Sequence, residues 1–157
     1  STTFTIEATP TDFITITGSA TKTVRVLRWE FSATQNSANI ADFYLVKRST
    51  ANSGGTSNTL TSVPHDSQSP TATAIMRQYT ADPTLGTAVG VIRYTQFLTP
   101  DTQTPSQDPR YTMEFGFGDS AQAIVLRGSG EVLALNFNGA AKPTGLLVTS
   151  TITWTEE

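Results

Sequence analysis

Along much of this chain the large apolar side chains fall on every second residue, a period that a half-buried strand satisfies and a helix does not. The clearest run spans residues 111–137. Tyr111, Met113, Phe115 and Phe117 alternate there with Thr112, Glu114 and Gly116. Gly118-Asp119-Ser120 interrupts the run, and Ala123-Ile124-Val125-Leu126 follows. That second run is short and nearly all apolar, the pattern of a strand covered on both faces. Arg127-Gly128-Ser129-Gly130 then turns the chain. Glycine supplies the positive φ that hairpin turns need, so a hairpin is expected here. Leu133, Leu135 and Phe137 alternate with Val132, Ala134 and Asn136 to close the stretch. The expectation is an antiparallel β core, with the flanking segments building the rest of the sheets.

Those flanks repeat the pattern. Phe4 and Ile6 share one face, Ile14 and Ile16 another, and Thr9-Pro10-Thr11 separates them as a turn. Leu27, Trp29 and Phe31 are expected on one side of a strand over 23–31, opposite Arg28 and Glu30. Val24 and Val26 precede them in the opposite phase. Residues 40–48 alternate Phe43 and Leu45 with Tyr44 and Val46. Residues 50–61 read as a surface loop around Gly54-Gly55. Val89, Val91, Arg93 and Thr95 alternate with Gly90, Ile92, Tyr94 and Gln96, and residues 99–109 form a long polar loop. In the last strand Leu146, Val148, Ile152 and Trp154 are expected inward against a ladder of threonines. One segment departs from the period of two. Ser69-Pro70 suits a helix start, and Ala72, Ile75, Met76 and Tyr79 fall on one helical stripe before Asp82-Pro83. The spacing predicts a short helix over 70–79, with a strand as the competing reading.

About nine short strands and one helix favour an all-β, antiparallel β-sandwich, first a jelly roll and second an immunoglobulin-like sandwich. A chain of 157 residues fits one domain. At that length it can bury roughly 68–70% of its unfolded surface without covalent staples. It has no cysteine, so disulfides and thiolate metal sites are excluded. The net charge is −3 and no basic cluster exists, so sequence-independent nucleic-acid binding has no electrostatic source. No apolar run approaches the roughly 18 residues of a membrane span. The opening Ser1-Thr-Thr-Phe-Thr does not read as a signal peptide. Charged residues make up only 15% of the chain, which suits an assembled protein better than one held apart by self-repulsion.

The search for chemistry returns little. The sole histidine, His65, stands beside Asp66, but neighbours in a proline-containing loop seldom face one substrate. One histidine and no cysteine leave too few ligands for zinc. Gly118-Asp119-Ser120 resembles the nucleophile block of the Gly-Asp-Ser esterases, yet the histidine that family places after the serine is missing. Gly128-Ser129-Gly130 leads into a strand and not into the helix that a phosphate loop requires. Glu30, Glu114 and Glu131 are the candidates for a glycosidase pair, with ion pairs on strand faces as the alternative. Trp29 and Trp154 could make a sugar platform, but both lie in phase with aliphatic core positions. No catalytic residue, cofactor or metal is expected, and the chain is not expected to be an enzyme.

Four passages together carry a resemblance. They are 45–56 (LVKRSTANSGGT), Pro64-His65-Asp66-Ser67 through Tyr79-Thr80-Ala81-Asp82-Pro83, 125–136 (VLRGSGEVLALN), and the closing Ile152-Thr153-Trp154-Thr155-Glu156. In these the chain resembles a group of small β-rich virion structural proteins of tailed bacteriophages. The resemblance implies a capsid decoration or cement subunit that stabilises a phage shell by binding between capsid subunits. The major capsid protein or other virion proteins would be its partners, the capsid surface its location, and the host cytoplasm its place of synthesis. Copies on local threefold axes would be homotrimers. A receptor- or glycan-binding module of a fibre or spike is the alternative. The resemblance carries no binding residue with it. Contacts are expected instead on the loops 49–69 and 99–110, because surface loops carry function. The candidates are Asn52, Gly54, Gly55, His65, Asp66, Asp101, Gln103, Gln107 and Arg110.

Overall fold

A computed structural model describes residues 2–5, 11–34, 39–99, 110–116, 122–137 and 146–157. The described residues are all-β, with no helix among them. The strands are β1 (Thr2–Thr5), β2 (Asp12–Thr17), β3 (Thr23–Thr34), β4 (Asn39–Arg48), β5 (Thr56–Leu60), β6 (Ile75–Ala81), β7 (Ala88–Thr99), β8 (Arg110–Glu114), β9 (Ile124–Arg127), β10 (Val132–Phe137) and β11 (Leu147–Glu156). Every pairing is antiparallel. One sheet runs β1-β11-β3-β8, with β9 also on β3, and the other runs β5-β6-β2-β10-β4-β7.

Both sheets turn one face onto a shared apolar core. Val26, Trp29, Phe31 and Val148 of the first sheet meet Ile14, Phe43, Leu133 and Leu135 of the second, all essentially excluded from water. Phe31 and Phe43 touch across the layers, with ring centroids 4.8 Å apart. The expected alternations in residues 111–116 and 132–136 hold, since Met113, Phe115, Leu133 and Leu135 are all core residues.

The predicted helix over 70–79 is a strand from Ile75 onward. Met76 and Gln78 are buried on one face as β6 pairs with both β2 and β5. Tertiary pairing on two sides outweighs a helical stripe of only four residues, because a helix that short has little stability of its own. The loop expected over 50–61 likewise contains β5, a polar edge strand exposed over its first four residues.

The turn at 127–130 also differs from expectation. Gly128 does take a positive φ of 74°. Yet β9 pairs with β3 while β10 pairs with β2 and β4, so the turn crosses between sheets and closes no hairpin. Local turn chemistry is the same in both cases, and only the pairing partners distinguish them.

A third difference lies in β3. Its register with β11 shifts between Thr153 and Trp154, skipping Leu27. This extra residue is a β-bulge, which resets the alternation by one. Val24 and Val26 therefore point inward along with Trp29, Phe31 and Ala33, and Leu27 is left half-buried. The bulge sits where β9 stops pairing with β3 and β8 takes over. There the Leu27 carbonyl accepts the Phe115 N–H at 2.7 Å.

On its other face the second sheet holds a buried polar cluster. Arg48 donates to Asp12 through Nε at 2.6 Å and Nη2 at 2.7 Å. Asn136 and Asn52 each donate to the same carboxylate at 2.8 Å. Arg48 also reaches the Gly86 carbonyl at 2.8 Å, and the Gly86 N–H returns to Asn52 at 2.8 Å. A Cβ on Gly86 would collide with the Thr50 carbonyl oxygen, so only glycine lets these two segments close over the sheet.

Candidate functional site

Two surfaces stand out once the sheets are built, a groove at the end of β11 and the outer edge of β7.

The groove starts from alternation. Ile152 and Trp154 follow the inward phase of β11, but at the sheet end the core gives out, and Trp154 is only partly buried against it. Its indole N–H donates to Glu156 Oε1 at 3.1 Å. Glu156 is itself held. Its carboxylate accepts the Thr73 N–H at 2.9 and 3.0 Å, the Thr73 hydroxyl at 2.7 Å and the Ala74 N–H at 2.9 Å. Lys22 Nζ lies 3.6 Å away. The carboxylate thus ties the lead-in to β6 onto the end of β11, one sheet onto the other. Burial alone would raise its pKa. The donors from Ala74, Thr73 and Trp154 outweigh that and hold it down at about 2.

A depressed carboxylate pKa stabilises the fold above the ordinary value of 4.5 and loses that contribution as pH falls toward about 2. With a side chain only 8% exposed, little of the effect is screened. The loss should reach roughly 3 kcal/mol at most across that window. Urea denaturation at a series of pH values should show it in the wild type, and Glu156→Gln should flatten the slope between pH 4.5 and 2.

Residues 62–72 and this end of β11 line a half-open groove of about 470 Å³, Trp154, Leu27 and Ile152 coming from the sheet and Val63, Pro64 and Pro70 from the segment over it. His65 and Asp66 lie on its rim. Asp66 Oδ1 accepts the Gln68 N–H at 2.9 Å and the Asp66 carbonyl accepts the Ser69 N–H at 3.0 Å, which folds the segment on itself. Among the described residues no hydrogen bond joins His65 to Asp66.

The second surface follows from the sheet order. Among the described residues β7 pairs only with β4, so its other side is an open edge of twelve residues. Val89, Val91, Ile92 and Tyr94 are 63%, 55%, 37% and 49% exposed, and Ile40 on the adjoining strand is 61% exposed. Tyr94 stacks on Tyr44 at 4.9 Å and donates to Asp42 at 3.0 Å. Burial and the Asp42 carboxylate push the Tyr94 hydroxyl pKa up. Arg93 is the one charged residue in the strand. The opposite edge of the same sheet, β5, is short and entirely polar apart from Leu60. Open sheet edges invite pairing with another chain, and proteins that stay single guard them with short, charged or proline-bearing strands. β5 is guarded in this way. β7 carries two register shifts near its Ala88 end, but it is long, apolar and free of proline and lysine.

The expected contact residues scatter. His65 and Asp66 meet at the groove. Asn52 instead spends its side-chain amide on Asp12 and Gly86. Gly54 and Gly55 form a turn at φ 65° and 70°. Arg110 is exposed on β8, opposite Ser32. Asp101, Gln103 and Gln107 lie outside the described residues, as does the Gly118-Asp119-Ser120 segment. The three candidate carboxylates all sit in ion pairs. Glu30 is 2.6 Å and Glu114 3.8 Å from Arg28, and Glu131 is 3.4 Å from Lys47. Sequence reasoning missed the anchoring role of Glu156 and the Asp12–Arg48 pair. The signal available for that pair was opposite charge on the first residue of β2 and the last residue of β4.

Among the described residues no group of three or more histidine, aspartate or glutamate side chains is placed to hold a metal ion, and no helix is long and apolar enough to cross a membrane. Comparison with family models, curated proteins and solved structures finds no match for this chain.

Proposed function

We propose that this protein is a structural subunit of a virus particle, a decoration or cement protein that joins copies of itself and the shell. The observation that carries the reading is the apolar edge at β7, which no strand covers among the described residues. An exposed apolar strand of that length is a liability in a solitary molecule and an asset in an assembly, where a neighbour covers it. Stable attachment needs about 1,000 Å² or more of contact, to which an extended strand edge contributes.

The strand order supports a jelly-roll reading of the sandwich. With β5 and β6 set aside as an insertion, and β9 taken with β8 as one interrupted row along β3, the sheets read β1-β11-β3-β8 and β2-β10-β4-β7. Successive strands from β1 to β4 then step between the layers, as two wrapped Greek keys require. Jelly rolls serve in viral shells and in lectins alike, so the fold alone does not choose the function. The edge favours the shell. In this reading the copies form a closed oligomer, a trimer where shell subunits meet in threes, with the major capsid protein as partner. Imaging of intact particles with the protein labelled tests it. The expected result is label at repeated positions over the shell lattice. Label confined to a fibre tip, or absent from particles, would overturn the reading.

A further inference from the structure

We propose that the groove between residues 62–72 and the end of β11 binds a neutral saccharide, with Trp154 as the stacking wall. The inference goes beyond the structural role and holds whether or not β7 pairs with another chain.

Three observations carry it. The first is an aromatic surface fixed in advance. The Trp154 indole packs against the core, also lines the groove, and is pinned at its N–H by a carboxylate that four further donor contacts hold in place. A fixed ring binds without loss of side-chain freedom. The second is the polar lining. Ser62, Ser69 and Thr155 present hydroxyls, and His65 an imidazole, that make no side-chain hydrogen bond among the described residues, while Asp66 commits only Oδ1. Hydroxyl-rich ligands are recognised by just such uncommitted donors and acceptors set beside an apolar face. The third is size and charge. About 470 Å³ lies within the roughly 300–1,000 Å³ of small-molecule sites. Lys22 is paired with Glu156, which leaves Asp66 as the charge without an ion pair among the described residues of the lining and disfavours an acidic sugar.

The two tryptophans make the test direct. Trp29 is fully buried, so it serves as a silent internal reference while Trp154 reports on the groove. The full chain is titrated to millimolar concentration with the β-1,4 tetramer of N-acetylglucosamine, cellotetraose and maltotetraose, and with a proline-rich peptide as control. The expected result is a saturable change in Trp154 emission with at least one neutral sugar. Amide NMR shifts confined to 62–72 and 152–156 should accompany it. Trp154→Ala should weaken that binding at least tenfold, and Asp66→Asn several-fold. The NMR mapping needs no variant, so it decides the matter even if Trp154→Ala fails to fold. No saturable response to any of the three sugars would overturn the proposal. So would shifts mapping elsewhere, or binding of the peptide alone.

Discussion

Asp12→Ala should cost about 3–5 kcal/mol of folding stability, the usual cost of breaking a buried ion pair by removing one partner. The Arg48 side chain is only 6% exposed, and its guanidinium spends two of its donors on Asp12. Without the carboxylate it becomes a buried charge with one remaining acceptor, the Gly86 carbonyl. Asn52 and Asn136 lose an acceptor at the same time. The cluster also joins β2, β4 and β10 to the segments around Asn52 and Gly86, so its loss loosens the cover over that face. Urea denaturation should show the fall in midpoint. The double replacement Asp12→Leu with Arg48→Met should be far milder than the single change, because it removes the desolvation of both charges together with their attraction. A single variant within about 0.5 kcal/mol of wild type would place the pair among surface interactions and contradict this account.

Trp29→Ala should be comparably severe, about 3–5 kcal/mol. The indole is fully buried between the layers. Its N–H donates to Ser150 Oγ at 2.8 Å on the neighbouring strand, and that hydroxyl in turn reaches the Glu30 carbonyl at 3.3 Å. The loss therefore combines a large cavity with a broken cross-strand bond. Ser150→Ala keeps the ring but strands its N–H, and should cost about 1–3 kcal/mol. Thermal unfolding of the two variants beside wild type separates the packing and hydrogen-bond contributions.

Much of the fold was legible because it rests on local alternation. Residues 111–116 and 132–136 present their apolar faces as their spacing predicts. What was not legible depends on partners distant in sequence. Ile75 to Ala81 carries a helical stripe, and only its ladders with β2 and β5 make it a strand. Gly128 announces a turn but says nothing about which sheet receives β10. The bulge at Leu27 is invisible to a rule of two, since it appears only where β3 is read against β11. The groove was half legible. His65, Asp66 and Trp154 each drew notice, but Trp154 stands far along the chain from the other two and only the folded sheets bring them together. Nothing in the residues around Glu156 marks it as an anchor; Thr73 and Ala74, far back in the chain, make it one.

In the proposed assembly a neighbour covers the β7 edge. Sedimentation equilibrium of the wild-type chain, beside a variant carrying Val89→Lys and Val91→Lys, tests it most directly. Both side chains are more than half exposed and lie outside the core, so the variant should unfold at nearly the same temperature as wild type. The account predicts a closed oligomer for the wild type and a monomer for the variant. A wild-type chain that stays monomeric at high concentration, or a variant that assembles as well as the wild type, would contradict it.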